Sequence, residues 1–146
     1  MLSEGFKSEV FKAQGRPLDG VESRGDAAYL IRFRGGSKLF VYDSAKIKDG
    51  FRHIRPMTTT MWVKGVYLEG LRIDSIGSES LNTFTEILTM RLLTSSDYVD
   101  LYFINNNAQG DPGFKIDAYF IEGDIVDDDR RALANHVRIK RGVEYD

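Results

Sequence analysis

Short apolar segments separated by glycine-rich or polar turns recur along the chain and predict a β-rich fold. The clearest pair is Ala27–Arg34 and Ser37–Tyr42, each rich in aliphatic and aromatic residues. Gly35 and Gly36 stand between them, and two adjacent glycines supply the positive φ angles of a tight turn. We therefore predict a β-hairpin over these residues.

A second hairpin is predicted downstream. Thr58–Leu68 is rich in β-branched and aromatic residues, which favour strands. Glu69 and Gly70 then form the predicted turn, with Leu71–Ile76 as the returning strand.

Two more strands are predicted in the second half of the chain. Tyr98–Ile104 is a strongly apolar segment, and Phe114–Ile121 alternates between apolar and polar residues. This alternation places Phe114 and its apolar partners inward and Asp117 outward.

Ser78–Thr94 predicts an amphipathic helix. Its apolar residues form one stripe at helical spacing, made by Leu81, Phe84, Leu88 and Leu92. Met90 and Leu93 fall on roughly the other side of such a helix. Either loops of the same chain cover these two residues or they contact another subunit, since exposed apolar surface often marks an interface.

The two ends of the chain have less regular patterns. Residues 1–26 hold five glycines or prolines and predict an extended N-terminal arm, in which Phe6 and Phe11 anchor a short helical turn. A neighbouring subunit is one candidate for holding this arm in place. Asp127 can cap a short helix that ends near Val137, followed by a tail.

These elements predict a single domain over residues 1–146, because the length suits one core and no linker interrupts the pattern. The predicted fold is mainly β, or α+β: an antiparallel β-sandwich or barrel with one flanking amphipathic helix and a short C-terminal helix. Residues 1–26 are the arm, 27–126 the β-core with the helix at 78–94, and 127–146 the short helix and tail.

Composition narrows the classes of function. The chain has no cysteine, which excludes disulfides, thiolate metal sites and cysteine nucleophiles. No apolar stretch reaches the roughly 18 residues of a membrane helix, and the first residues do not resemble a signal peptide. We therefore expect no membrane span and a cytoplasmic location when the protein is made.

Charge is unevenly distributed along the chain. The net charge is −2, but residues 1–60 carry +4 and residues 61–146 carry −6. Either this is chance, since halves of a sequence need not be halves of a surface, or two oppositely charged surfaces guide self-association.

No motif predicts catalysis or a cofactor. His53 and His136 lack partner motifs, and the G-x-S-x-G nucleophile elbow is absent. The acidic run from Glu122 to Asp129 is explained by helix capping, and the Asn105–Ile116 loop lacks the terminal glutamate of a calcium loop. We therefore predict a non-enzymatic protein without metal or cofactor.

Two basic clusters raise the alternative of nucleic-acid binding. They comprise Lys46, Lys48, Arg52, His53 and Arg55, and then Arg130, Arg131, Arg138, Lys140 and Arg141. The negative net charge argues against a dedicated nucleic-acid binder. Solvated faces or subunit contacts are the preferred interpretation, so nucleic acid is not a favoured partner.

The predicted elements in residues 71–127 follow the order strand, helix, strand, polar loop, strand, and then Gly123-Asp124-Ile125-Val126-Asp127. This order resembles the C-terminal half of contractile-tail tube proteins, including the type VI secretion tube subunit. The resemblance implies a β-barrel or sandwich with a helix on its flank, hexameric rings that stack, no cofactor, and a structural role in a phage tail or tail-like machine.

The favoured hypothesis is a structural subunit of a homo-oligomeric assembly, such as a tail tube, baseplate or other virion component, whose partners are itself and other assembly proteins. The alternative is a small binding or inhibitor module acting on a host protein or nucleic acid. An enzyme would need acidic groups that converge around Asp117, Glu122 or His53. The residues predicted at a subunit interface are Phe6, Phe11, Lys46, Arg52, Arg55, Met90 and Leu93.

Overall fold

The computed structural model describes residues 2–23, 27–46, 60–61, 66–78, 86–105 and 113–123. These ranges contain one helix and eight strands, in the order α1 (Phe6–Ala13), β1 (Leu18–Ser23), β2 (Ala28–Phe33), β3 (Lys38–Asp43), β4 (Thr60–Met61), β5 (Leu68–Ser78), β6 (Glu86–Thr94), β7 (Tyr98–Asn105) and β8 (Ile116–Ile121). The mainly-β fold class predicted from the sequence is confirmed.

The strands form two antiparallel sheets. One has five strands in the order β4-β1-β2-β3-β8, and the other has three in the order β5-β6-β7. A bridge between Pro17 and Tyr67 joins the sheets at one corner. The described strands do not close into a barrel, so the architecture is that of a sandwich.

The predicted hairpin of β2 and β3 is confirmed. Its strands pair in register from Ala28 opposite Tyr42 to Arg32 opposite Lys38. Gly35 and Gly36 form the turn with φ of 93° at both positions. A side chain would strain this backbone, so the two glycines set the turn.

The main core lies between the two sheets. Inward residues of the five-stranded sheet, such as Ile31 and Leu39, meet inward residues of the three-stranded sheet, such as Leu101 and Phe103. All four are buried, with exposed fractions of 0%. The Tyr29 ring packs edge to face on Phe103, with ring centroids 5.3 Å apart.

The five-stranded sheet is buried on its second face too. Leu30, Phe40 and Tyr42 point away from the main core, yet their exposed fractions are 0%, 3% and 0%. Ala28 and Ile121 belong to the same buried cluster. Burial on both faces explains why β2 and β3 read as almost continuous apolar segments.

The prediction of an extended N-terminal arm was wrong, although the helical turn predicted around Phe6 and Phe11 is present as α1. Residues 18–23 form β1 inside the five-stranded sheet, and α1 packs against β8. Phe6, Val10 and Ala13 are buried on one side of α1, at the spacing of a helical stripe. The glycines around this short stripe obscure it in the sequence.

The predicted helix at 78–94 was also wrong over the described part of that range. Residues 86–94 form β6, the central strand of the three-stranded sheet, and Ser78 ends β5. Leu88 and Leu92 are four residues apart, a spacing that places two residues on one face of a strand as well as of a helix. Pairing with β5 and β7 selects the strand.

The second predicted hairpin is absent, because Glu69 and Gly70 do not turn the chain. β5 continues through them from Leu68 to Ser78, and a register shift between Leu68 and Gly70 absorbs Glu69 as a bulge. Strands β7 and β8, in contrast, lie where the sequence predicts them.

The predicted C-terminal helix and tail, residues 127–146, lie outside the described residues. Within the described part, no helix has the length and apolar character needed to cross a membrane.

Candidate functional site

The three-stranded sheet turns one face to the core and one face outward, and we call the second the outer face. In β6, Leu88, Met90 and Leu92 point to the core, so the residues between them point outward. The strand registers align the outward residues in four rows running from β5 through β6 to β7: Gly70, Leu93 and Tyr98; Arg72, Arg91 and Asp100; Ser75, Thr89 and Tyr102; Gly77, Ile87 and Ile104.

Arg91 holds a charged cluster at the centre of the outer face. Its guanidinium donates to both carboxylate oxygens of Asp100, with Nε–Oδ1 3.0 Å and Nη2–Oδ2 3.5 Å. Asp74 lies 3.6 Å from Nη1. The hydrogen bond to Asp100 raises the pKa of Arg91 above its ordinary value, against the opposing effect of desolvation.

Tyr98 supports the same guanidinium from a third side. The Arg91 Cζ lies 3.8 Å from the centroid of the Tyr98 ring, a close cation–π contact. A bidentate carboxylate and a stacked ring fix the orientation of Arg91 before any partner arrives. The cluster is therefore a preorganised surface feature.

Aromatic and aliphatic side chains surround this cluster. Tyr98 and Tyr102 have exposed fractions of 49% and 50%. Ile87, Leu93 and Ile104 on the same face are half-buried. Tyrosine and arginine anchors beside aliphatic side chains form the composition typical of contact surfaces between proteins.

Along the β5 side of the outer face, glycines leave open space above the backbone. A Cβ atom placed at Gly70 or Gly77 would meet no other atom within 4 Å, so open space lies above both glycines. Arg72 stands between them and is exposed. Within the described residues its side chain makes no hydrogen bond or ion pair.

Those predicted interface residues that the structure describes do not form one surface. Phe6 and Met90 have exposed fractions of 1% and 0%, and their place in the core corrects the prediction that they contact a partner. Leu93 does lie on the outer face. Phe11, with 74% of its surface exposed, lies on α1, and Lys46 is exposed after β3.

Arg52 and Arg55 lie outside the described residues, as do His53 and both basic clusters apart from Lys46. The same holds for most of the acidic run and for residues 106–112 of the Asn105–Ile116 loop. In the described ranges, no group of three or more histidine, aspartate or glutamate side chains is placed to hold a metal ion.

Sequence reasoning missed Arg91, Tyr98 and Tyr102 as surface anchors. The signal was present in the alternation of Tyr98, Asp100, Tyr102 and Ile104, which a strand must place on one face. Because residues 78–94 were predicted to be a helix, strand β6 was missing from the predicted sheet. The rows that align these side chains across three strands could therefore not be recognised.

Asp117, predicted to point outward, does lie on the face of β8 opposite Ile116 and Ala118, but that face is covered and Asp117 is buried with an exposed fraction of 2%. Its carboxylate accepts hydrogen bonds from the Ser3 hydroxyl at 2.6 Å, the Tyr42 hydroxyl at 2.8 Å and the Ala118 amide at 2.8 Å. These bonds satisfy a carboxylate that burial would otherwise destabilise, and they join the N-terminal segment to β3 and β8. Asp117 is therefore part of the packed, hydrogen-bonded interior.

Glu122, the second acidic residue considered for catalysis, lies elsewhere and is exposed. It pairs with Arg16, whose Nη2 is 3.0 Å from Glu122 Oε1. Arg16 also stacks on Phe120, 4.7 Å from the ring centroid.

Comparison with known proteins found no matching family model, no matching curated protein and no matching solved structure. The order on which the resemblance to tail tube proteins depends includes a helix at 78–94, and β6 occupies residues 86–94.

Proposed function

We propose that this protein is a structural subunit that assembles with copies of itself through the outer face of the three-stranded sheet. The observation that carries this proposal is the combination of half-exposed Tyr98 and Tyr102 with the preorganised Arg91 cluster on one face of the sheet. Anchors of this kind lose little side-chain entropy on binding, which favours association.

A second copy suits this face because its charges balance. Arg72 and Arg91 provide two positive charges, and Asp74 and Asp100 provide two negative charges on the same face. A face with balanced charges of both signs can meet itself without net repulsion, and self-complementary patches are typical of homo-oligomers.

The size of the face sets the strength of a single contact. Three strands about 4.8 Å apart and four rows about 6.8 Å apart span roughly 400 Å² per copy. This is about half of what stable complexes bury per partner. One contact through this face is therefore weak, and a durable assembly would need contacts through other surfaces beside it.

Sedimentation velocity over a wide range of concentrations tests the proposal. The weight-average mass should rise with concentration for the native chain and stay at the monomer value for a Tyr98→Ser/Tyr102→Ser variant. Phe11→Ser is the matched control, since it removes a more exposed aromatic side chain from α1. Monomers at every concentration, or loss of association in the control alone, would contradict the proposal.

A place in a phage tail or tail-like machine is a narrower proposal. The element order that suggested it included a helix at 78–94, which β6 replaces over residues 86–94, so only the β-rich fold and the proposed self-association now support it. Electron microscopy of the concentrated protein checks it: stacked rings are the expected result, and discrete dimers without rings would count against it. Monomers that bind a host protein or nucleic acid would favour the alternative of a small binding module.

A further inference from the structure

The four rows of the outer face have opposite character at their two ends. The β5 ends are glycine, arginine, serine and glycine, whereas the β7 ends are tyrosine, aspartate, tyrosine and isoleucine. Each row thus runs from a small or positive residue to a large or negative one. If two copies meet through this face, as the proposed function requires, the difference between the row ends indicates which strand of one copy packs on which strand of the other.

We infer that two copies pack face to face around a twofold axis that runs along β6, so that β5 of each copy lies over β7 of the other. This rotation preserves the rows and exchanges their ends. Tyr98 then enters the open space above the second copy's Gly70, and Ile104 enters the space above Gly77. Tyr102 meets Ser75, the third small residue on β5.

The same rotation also brings opposite charges of the two copies together. Arg72, exposed and without an ion pair among the described residues, comes to lie over Asp100 of the second copy. Asp100 already accepts from Arg91 and has further lone pairs, since a carboxylate accepts about four hydrogen bonds. The two Arg91 side chains meet near the axis, each with its own Asp100 and Asp74.

The other face-to-face rotation, around an axis perpendicular to the strands, fits less well. It places Gly70 over Gly77, which leaves a gap above β5, and it places Tyr98 over Ile104, which brings bulk against bulk. It also leaves Arg72 over Ser75 without an acidic partner. Shape and charge therefore both select the axis along β6, with strand directions within about 30° of each other as in packed sheets.

Chemical cross-linking tests this geometry, and the absence of native cysteines makes single-cysteine variants unambiguous. Thr89 lies on β6 near the axis, and Ser75 and Tyr102 lie at the two ends of the same row. Packed sheets are about 10 Å apart and the facing side chains lie between them, so a short bis-methanethiosulfonate reagent of about 5 Å links directly opposed cysteines and does not reach between two Ser75 positions, which lie about 14 Å apart.

Thr89→Cys alone should form cross-linked dimers, whereas Ser75→Cys alone and Tyr102→Cys alone should form at least tenfold fewer. In an equimolar mixture of Ser75→Cys and Tyr102→Cys, half of the dimers contain one copy of each variant. The cross-linked yield, normalised to the dimer fraction that sedimentation measures in each sample, should therefore rise to about half that of Thr89→Cys. If Ser75→Cys alone cross-links as well as the mixture, the axis is wrong although association through the face stands. If the native chain is monomeric in sedimentation, the proposed function itself fails.

A charge substitution gives a second readout at a position exposed to solvent. Arg72→Glu should weaken association at least tenfold, because it places two acidic groups opposite each other in each copy's contact with Asp100. Arg34→Glu makes the same change in the β2–β3 turn and should leave association unchanged. Equal association of the Arg72→Glu variant and the native chain would overturn the inferred pairing.

Discussion

The two sheets differ in what their outward residues meet. Leu30, Phe40 and Tyr42 point away from the main core on the five-stranded sheet, and they are as deeply buried as the core itself. On the three-stranded sheet, Tyr98 and Tyr102 point away from the core and are half-exposed. One sheet is therefore buried on both sides, and the other leaves one side in contact with solvent.

This difference shows that apolar content alone does not separate structural from functional positions. The same kinds of residue stabilise the monomer when burial removes them from water, and favour association when they stay in water. Substitutions at equivalent positions of the two sheets should therefore affect different properties.

The largest difference between the sheets is expected when an outward-pointing leucine of each sheet is truncated to alanine. Leu30→Ala should lower the free energy of unfolding by about 2–5 kcal/mol, because it removes a fully buried side chain and leaves a cavity. Leu93→Ala should have a smaller effect on unfolding, since Leu93 is half-buried, and should weaken association. Urea denaturation at low protein concentration measures the first quantity and sedimentation the second.

Equal losses of stability in these two variants would contradict the distinction between the sheets. So would an unchanged association of Leu93→Ala in a protein whose Tyr98→Ser/Tyr102→Ser variant is monomeric.

The carboxylates of the two sheets provide the next contrast. Asp117→Asn should lower the free energy of unfolding by about 1–3 kcal/mol, because the amide cannot accept all the hydrogen bonds that Ser3, Tyr42 and Ala118 donate. Asp100→Asn should affect unfolding much less, since water solvates the partly exposed Arg91. Thermal unfolding under identical conditions compares the stabilities of the two variants. A greater loss of stability in Asp100→Asn than in Asp117→Asn would contradict the prediction.

The smallest expected effect on stability concerns the contact between the sheets. The Tyr29 hydroxyl, which belongs to the five-stranded sheet, donates to the Tyr102 carbonyl at 2.8 Å and accepts from the Tyr102 amide at 2.8 Å. It thereby occupies both backbone groups at one residue of β7, an edge strand of the described three-stranded sheet. Such edges otherwise invite pairing with another chain.

Tyr29→Phe should cost about 0.5–1.5 kcal/mol, because the ring packing on Phe103 remains and the hydroxyl is lost. Hydrogen exchange should show faster exchange of the Tyr102 amide in this variant. Tyr67→Phe is the control, since its side chain makes no hydrogen bond with the described residues. A Tyr102 amide that is equally protected in the native chain and in Tyr29→Phe would show that the hydroxyl does not close this edge.

Local patterns predicted those parts of the fold that depend on neighbouring residues. The β2–β3 hairpin, β7 and β8 lie where alternation and turn residues place them. The candidate site could not be predicted in the same way, because its rows join residues from three strands. Arg91 acquires its role from Asp74 and Asp100, which lie 17 and 9 positions away in the sequence.

The sequence by itself determined a mainly-β class and the residues that prefer strands, since these follow from side-chain shape and from a period of two. Only the tertiary structure decided that β6 is a strand, that Asp117 is buried and that the outer face exists. The physical reason is that a spacing of four fits both a helix and a strand, and a polar residue on an outward face can meet solvent or accept buried hydrogen bonds. Pairing partners distant in sequence select between these states.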